Sequence, residues 1–274
     1  MIRLGMMARE TATTTIDSVL AEARALQLDA VDLHLSGMNR DLGYLRHVRT
    51  TCLRSGLAIG YTGGGSFVGP AEERAKRMAQ GRADIDATAF LGAQVIRLFA
   101  RYKWPETVEA QEALWGPMIE SFQEIADYAA EQGVQVALQN HNNGSFAMNA
   151  KQVLRILDEV GRDNFSFLLD TGQWEGAIGS HPRGEWDENV DLYRDYIEPT
   201  APHATYVRAK IYKIDAGREE WLDYPRILQI LRGVNFNGTI GLVFELGERN
   251  GCSEEECRRL AVAHLRGVIA DAYK

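Results

Sequence analysis

Cysteine is scarce: Cys52, Cys252 and Cys257 are the only three in 274 residues. Their number and irregular spacing exclude a disulfide framework or a zinc knuckle, and they are read as reduced thiols. No run approaches the roughly 18 apolar residues that span a bilayer, and the opening MIRLGMMARETATTT has no continuous apolar core of signal-peptide length. The chain is therefore read as cytoplasmic, with no membrane partner. Basic charge is in deficit, 30 Lys and Arg against 38 Asp and Glu, for a formal net charge of −8. That balance removes the counterion-release term behind non-specific nucleic-acid binding, so no nucleic-acid partner is expected. Only seven prolines occur, and no low-complexity tract interrupts a composition of 45% apolar and 25% charged residues, which is that of a folded globular chain.

What is present is a repeated alternation. Eight short apolar runs recur: Ile2 to Met6, Ala30 to Leu35, Leu57 to Thr62, Val95 to Ala100, Val134 to Gln139, Phe165 to Asp170, Ala204 to Tyr212 and Thr239 to Glu245. Their near-continuous apolarity is the mark of parallel strands covered on both faces. The longer segments between them carry helix punctuation. Thr14 precedes Asp17 by three, Pro70 stands at a helix start, and Leu114, Met118, Phe122, Ile125 and Ala129 share one face before Gly133. Ser253 with Glu256 forms a capping box. Eight strand-then-helix units, each joined by a right-handed crossover, predict an α/β fold closed into a single (β/α)8 TIM barrel over residues 1–274. An open doubly wound sheet would carry a glycine-rich first turn, and GMMARE has no GxGxxG.

Barrel active sites lie at the carboxyl ends of the strands. Gln139, Asn140 and His141 end the fifth run, Asp170 the sixth and Glu245 the eighth, while Arg208 and Lys210 lie in the seventh. Side chains two apart share a strand face, so Tyr206, Arg208, Lys210 and Tyr212 point one way. A charged Arg208 against the helical layer would be costly, which turns it towards the barrel axis and towards carboxylate partners. His34 ends the second run, and Arg101, Lys103 and Trp104 follow the fourth; with Trp174 after the sixth, they are candidates to line a substrate pocket. His141 is divided between acid/base work and bonding within the HNNG turn. The run Gly63, Gly64, Gly65 is read as a flexible turn, with a phosphate cradle as its rival.

The endings LQNH, LLDTGQW, YVRAK and VFE, in this order, resemble those of the xylose isomerase-like barrels (the AP endonuclease family 2 superfamily), across essentially the whole chain. That group includes sugar phosphate isomerases and epimerases, inosose dehydratase, hydroxypyruvate isomerase and endonuclease IV. The resemblance implies one divalent metal, such as manganese, zinc or cobalt, held by Glu, Asp, His and Glu on strands five to eight. Here Asp170 and Glu245 match, while Gln139 and Arg208 depart from the pattern, and Gln173 stands where His is frequent. Three carboxylates and a neutral His would offer a divalent ion three negative charges; this set offers one net negative charge. A guanidinium has no lone pair to donate and repels a cation. The expectation is therefore a degenerate site without a metal cofactor, Arg208 standing in the place of the cation; if a metal is bound, Asp170, Glu245 and Gln139 are its ligands.

The function implied is sugar isomerase or epimerase chemistry on a small-molecule sugar or keto sugar, moving a proton next to a carbonyl. Gln139 cannot take a proton, which disfavours two-base epimerisation. One base, Glu245, with Arg208 and Lys210 stabilising an enediolate and His141 as acid, suits isomerisation or elimination, a lyase reaction. Gln139, Asp170, Trp174, Arg101, Trp104 and His34 are expected to bind substrate. The alternatives are a non-catalytic sugar-binding barrel and a metal-dependent sugar epimerase. Endonuclease IV-type DNA repair would need a large His, Asp and Glu ligand set, and only six histidines exist. The sequence leaves room for a homo-oligomer without specifying one.

Overall fold

The computed structural model describes every residue except 1, 12–13, 103–104, 180–185 and 246–248. Eight strands, β1 (Arg3–Ala8), β2 (Ala30–His34), β3 (Ala58–Ser66), β4 (Val95–Phe99), β5 (Gln135–Gln139), β6 (Phe165–Asp170), β7 (Ala204–Ile211) and β8 (Thr239–Phe244), pair in chain order. All pairings are parallel, and β8 closes onto β1 with Arg3 opposite Thr239. The fold is a (β/α)8 TIM barrel. No helix among the described residues is long and apolar enough to cross a membrane.

Helices α1 (Ile16–Ala25), α2 (Leu42–Ser55), α3 (Arg74–Leu91), α4 (Val108–Glu131), α5 (Ala150–Val160), α6 (Glu198–Thr200), α7 (Tyr224–Gly233) and α8 (Glu254–Ala272) follow the strands. Side-chain caps start them where the sequence offers an oxygen. Thr15, one residue later than expected, accepts from the Ser18 N–H; Asn149 accepts from Gln152; Ser253 accepts from Glu256. Each such cap is worth about 1 kcal/mol. Around α6 the helix is irregular, with π turns over Leu192–Ile197 and a 3-10 turn over Ala201–His203. Pro199 and Pro202 withhold the N–H groups that a regular helix needs there.

Alternate strand residues divide the protein into two interiors. Leu4, Met6, Val31, Leu33, Ile96 and Leu98 face outward into one continuous apolar core beneath the helices. Inside the barrel the apolar cluster is only Tyr61, Ala137, Leu168 and Tyr206, with Val95 against it. Around it the described interior also holds buried polar and charged side chains, among them Asp32, Arg97, Gln139, Asp170, Arg208 and Lys210.

Two expectations are corrected. Cys252 and Cys257 are not reduced thiols: they form a disulfide, their Cα atoms 6.0 Å apart, because the turn at the start of α8 brings them to bridging distance. Cys52 remains a free, buried thiol. The glycine run is not a turn either, since Gly63, Gly64 and Gly65 continue β3.

Candidate active site at the carboxyl ends of the strands

Asp170 and Arg208 are register partners on β6 and β7, which places a guanidinium beside a carboxylate before any side chain is considered. Arg208 Nη1 lies 3.1 Å from Asp170 Oδ2, and Gln139 Nε2 donates to the same oxygen at 3.1 Å. The Gly172 N–H donates to Asp170 Oδ1. Asn140 fixes the strand end: its Oδ1 accepts from the Asp170 N–H and its Nδ2 donates to the carbonyls of Asp170 and Gln173. Asp170 is entirely buried. Burial pulls the Arg208 pKa down, but Tyr61, Asp170 and Asp32 more than offset it and leave it raised.

One pleat higher, Lys210 Nζ is 2.5 Å from Glu245 Oε1. The two differ in exposure, the lysine side chain being 3% exposed and the glutamate 29%, so the carboxylate is the member that meets solvent at the barrel mouth. Burial outweighs the attraction of Asp170 and Glu245 and lowers the Lys210 pKa.

Beneath these pairs lies a second polar layer to which the strand-end motifs give no clue. Asp32, on β2, accepts from the Tyr206 hydroxyl at 2.5 Å. Burial, against the Tyr206 hydrogen bond and the Arg208 charge, raises its pKa to about 7. A Cβ on Gly241 would collide with both Asp32 and Tyr206, so a glycine on β8 is what admits this pair. Arg97, midway along β4, lies over the Phe99 ring at 4.1 Å and donates from Nη2 to His34 Nε2 at 3.1 Å. Burial lowers its pKa to about 10, so it stays charged at neutral pH.

The remaining candidates divide. His34 joins the site as the partner of Arg97. His141 Nδ1 lies 3.1 Å from the Asn143 carbonyl oxygen and 3.3 Å from its N–H, within the HNNG turn, and the ring packs edge-on to Phe99. Trp174 is fully buried, stacked on Tyr196 with centroids 5.1 Å apart and set against Phe167, in the outer core rather than the mouth. Arg101 is exposed on the rim with its guanidinium 5.9 Å from the Phe99 centroid. Trp104 lies outside the described residues. The signal that finds Arg97 and Asp32 is a charge in mid-strand, in VIRLF and AVDLH, the same feature that marks Arg208.

A divalent cation does not fit this donor set. Two hydrogen-bond donors already occupy Asp170 Oδ2, Lys210 occupies Glu245, and Arg208 brings a positive charge into the same space. Among the described residues no three His, Cys, Asp or Glu side chains gather as a metal site.

No functionally curated protein matches the sequence significantly. Solved structures do match in fold. D-psicose 3-epimerase with D-tagatose from Clostridium cellulolyticum H10 superposes with a TM-score of 0.76 at 16% identity, over 98% of this chain and 99% of that one. L-ribulose 3-epimerase gives 0.73 at 18% identity, over 100% and 96%. The 3-keto-D-glucoside 4-epimerase from E. coli gives 0.72 at 14% identity, over 100% and 99%. Residues 20–268 match the family described as xylose isomerase-like TIM barrel. The chain belongs to the xylose isomerase-like TIM barrel family.

Proposed function

We propose that the protein is a sugar isomerase/epimerase-like enzyme that moves a proton next to the carbonyl of a small sugar or keto sugar, by one-base isomerisation or elimination and without a metal. The observation that carries this reading is the Lys210–Glu245 pair, in which a carboxylate open to the mouth is held by a buried ammonium. The epimerases similar in fold give it a chemical context.

In the step envisaged, Glu245 takes the proton from the carbon beside the carbonyl. The C–H electron pair becomes the C=C bond of an enediolate, and the carbonyl π pair moves to oxygen. The Lys210 ammonium, and Arg208 below it, stabilise that oxygen's charge. Isomerisation ends when the proton is delivered to the former carbonyl carbon while the neighbouring hydroxyl passes its proton to the enediolate oxygen and becomes the new carbonyl. Elimination ends when the enolate oxygen re-forms the carbonyl and the β-hydroxyl is expelled, leaving as water with the proton held by Glu245. Gln139, in place of a second base, holds Asp170 rather than a proton.

The test is proton exchange in deuterated water with a panel of neutral ketoses, sugar acids and sugar phosphates, followed by NMR. Deuterium beside the carbonyl with wild type, and none with Glu245→Gln, supports the reading. Binding without exchange across the panel overturns it in favour of a non-catalytic sugar-binding barrel. Exchange that persists in the variant removes Glu245 as the base.

A further inference from the structure

The two halves of the barrel interior are charged differently. On the β6–β8 side each carboxylate is committed to a cation, Asp170 to Arg208 and Glu245 to Lys210, while deeper in the barrel Asp32 is committed to the Tyr206 hydroxyl. On the β2–β4 side Arg97 has no carboxylate within ion-pair distance among the described residues, although it is only 2% exposed. Its Nε and Nη1 are buried without a hydrogen-bond partner.

The tautomer of His34 follows from its neighbour. A guanidinium can only donate, so His34 Nε2, 3.1 Å from Arg97 Nη2, must be the acceptor and the ring proton sits on Nδ1. That Nδ1 is also buried without a partner. Burial, with the charges of Arg97, Arg9 and Arg208, lowers the His34 pKa to about 4, so the ring is a neutral donor at physiological pH. Arg208 Nε and the Tyr61 hydroxyl are further buried polar groups with no partner. Among the described residues these donors outnumber the unpartnered acceptors at this end of the barrel, Asp32 Oδ2, Gln139 Oε1 and Gln173 Oε1. Unmet donors around a cation that feels Asp170 and Asp32 only at a distance suit an anion, because a buried donor left unmade is costly and a charged acceptor repays it most.

This side too reaches the rim. His34 and Phe99 are half-buried, and Arg9 and Arg101 stand exposed on the rim. Gly63 leaves β3 bare beside them: a Cβ there would sit 2.6 Å from Arg97 Nη2. From this geometry we infer that the Arg97–His34 corner is a seat for the anionic group, carboxylate or phosphate, of an acidic sugar, which places that substrate's reacting end towards Lys210 and Glu245. The inference rests on the proposed function in treating the barrel mouth as the substrate site.

Calorimetric titration of the purified protein with matched pairs tests it: D-glucuronate against D-glucose, and D-fructose 6-phosphate against D-fructose. One acidic member is expected to bind about ten- to a hundredfold more tightly than its neutral partner, the range of charge-assisted hydrogen bonds. Which pair shows the preference identifies carboxylate or phosphate. Arg97→Met, which keeps a stem against Phe99, is expected to abolish the preference. Should that variant fail to fold, Arg97→Lys, with a charge but no planar donors, is expected to keep only part of it. Equal binding of acidic and neutral sugars by wild type, no binding of either, or a preference unchanged in the folded variant overturns the inference. Acid preference without deuterium exchange would retain this seat and reject the proposed reaction; exchange on neutral ketoses without acid preference would do the reverse.

Discussion

Lys210 reaches Glu245 across the seam between β7 and β8, although its register partner on β8 is Val243, two residues earlier. The long lysine stem climbs one pleat, so the ammonium is buried while the carboxylate it holds is open to the mouth. On the proposed function, Glu245 should act in the transition state rather than in binding. Glu245→Gln is expected to lower kcat by about 10²–10⁴ with little change in KM, read from steady-state kinetics on whichever sugar exchanges deuterium. A rise in KM at constant kcat would assign Glu245 to binding instead.

Among the described residues Arg208 is the one salt-bridge partner of the fully buried Asp170. Arg208→Ala leaves that carboxylate with the Gln139 amide and the Gly172 N–H. Removing one member of a buried pair costs about 3–5 kcal/mol, and urea unfolding should show a loss of that order. An unchanged midpoint would mean that the pair contributes nothing to stability.

Metal content provides an independent check. Protein purified without chelator is expected to carry no stoichiometric manganese, zinc or cobalt by elemental analysis, and chelation should leave deuterium exchange intact. Arg208→His combined with Gln139→Glu restores a four-ligand set and should gain cation binding measurable by calorimetry. One tightly held equivalent in the wild type would refute the degenerate-site reading.

Asp32 makes stability depend on pH. Its pKa is raised in the folded state to about 7, so the folded protein holds a proton that the unfolded chain releases near its ordinary value of 3.8. The stabilisation is therefore fully present below about pH 4 and is lost as pH rises through about 7. The slope approaches about 1.4 kcal/mol per pH unit for one proton. Urea midpoints of wild type and Asp32→Asn across this range should converge as pH falls if the amide preserves the Tyr206 bond. Parallel curves would show that Asp32 titrates normally.

The disulfide is checked by counting thiols. Denatured protein without reductant should titrate as one thiol, Cys52, and as three after reduction. Three thiols without reductant would restore the reading of the cysteines as free.

The strands were legible because their outward faces are apolar: all eight coincide with the expected runs to within about four residues, and helix caps fall at or next to the marked oxygens. Arg208 was legible because a cation in an apolar strand has one affordable direction, and it does reach Asp170. Arg97 and Asp32 obey the same rule, but they sit mid-strand, below the level at which family motifs draw attention. The glycines of β3 misled because glycine alone reads as a turn; what Gly63 and Gly64 make room for, Arg97 at the first and Leu98 and Ile96 at the second, lies on another strand. The partner of His34 likewise lies on another strand, which spacing along the chain does not encode, whereas the bonding of His141 within the HNNG turn is local and was one of the two readings that its position offered.

The close approach of Arg97 to the bare backbone at Gly63 also has an evolutionary corollary. Any side chain at that β3 position would displace the guanidinium, so the glycine and the arginine should be gained and lost together. Within this family, a lineage tree coloured by that two-position pair, together with Gln139 and Arg208, would separate barrels built around an internal guanidinium from those built around an ion. Ancestral reconstruction at the branch point would then date which of the four changes came first.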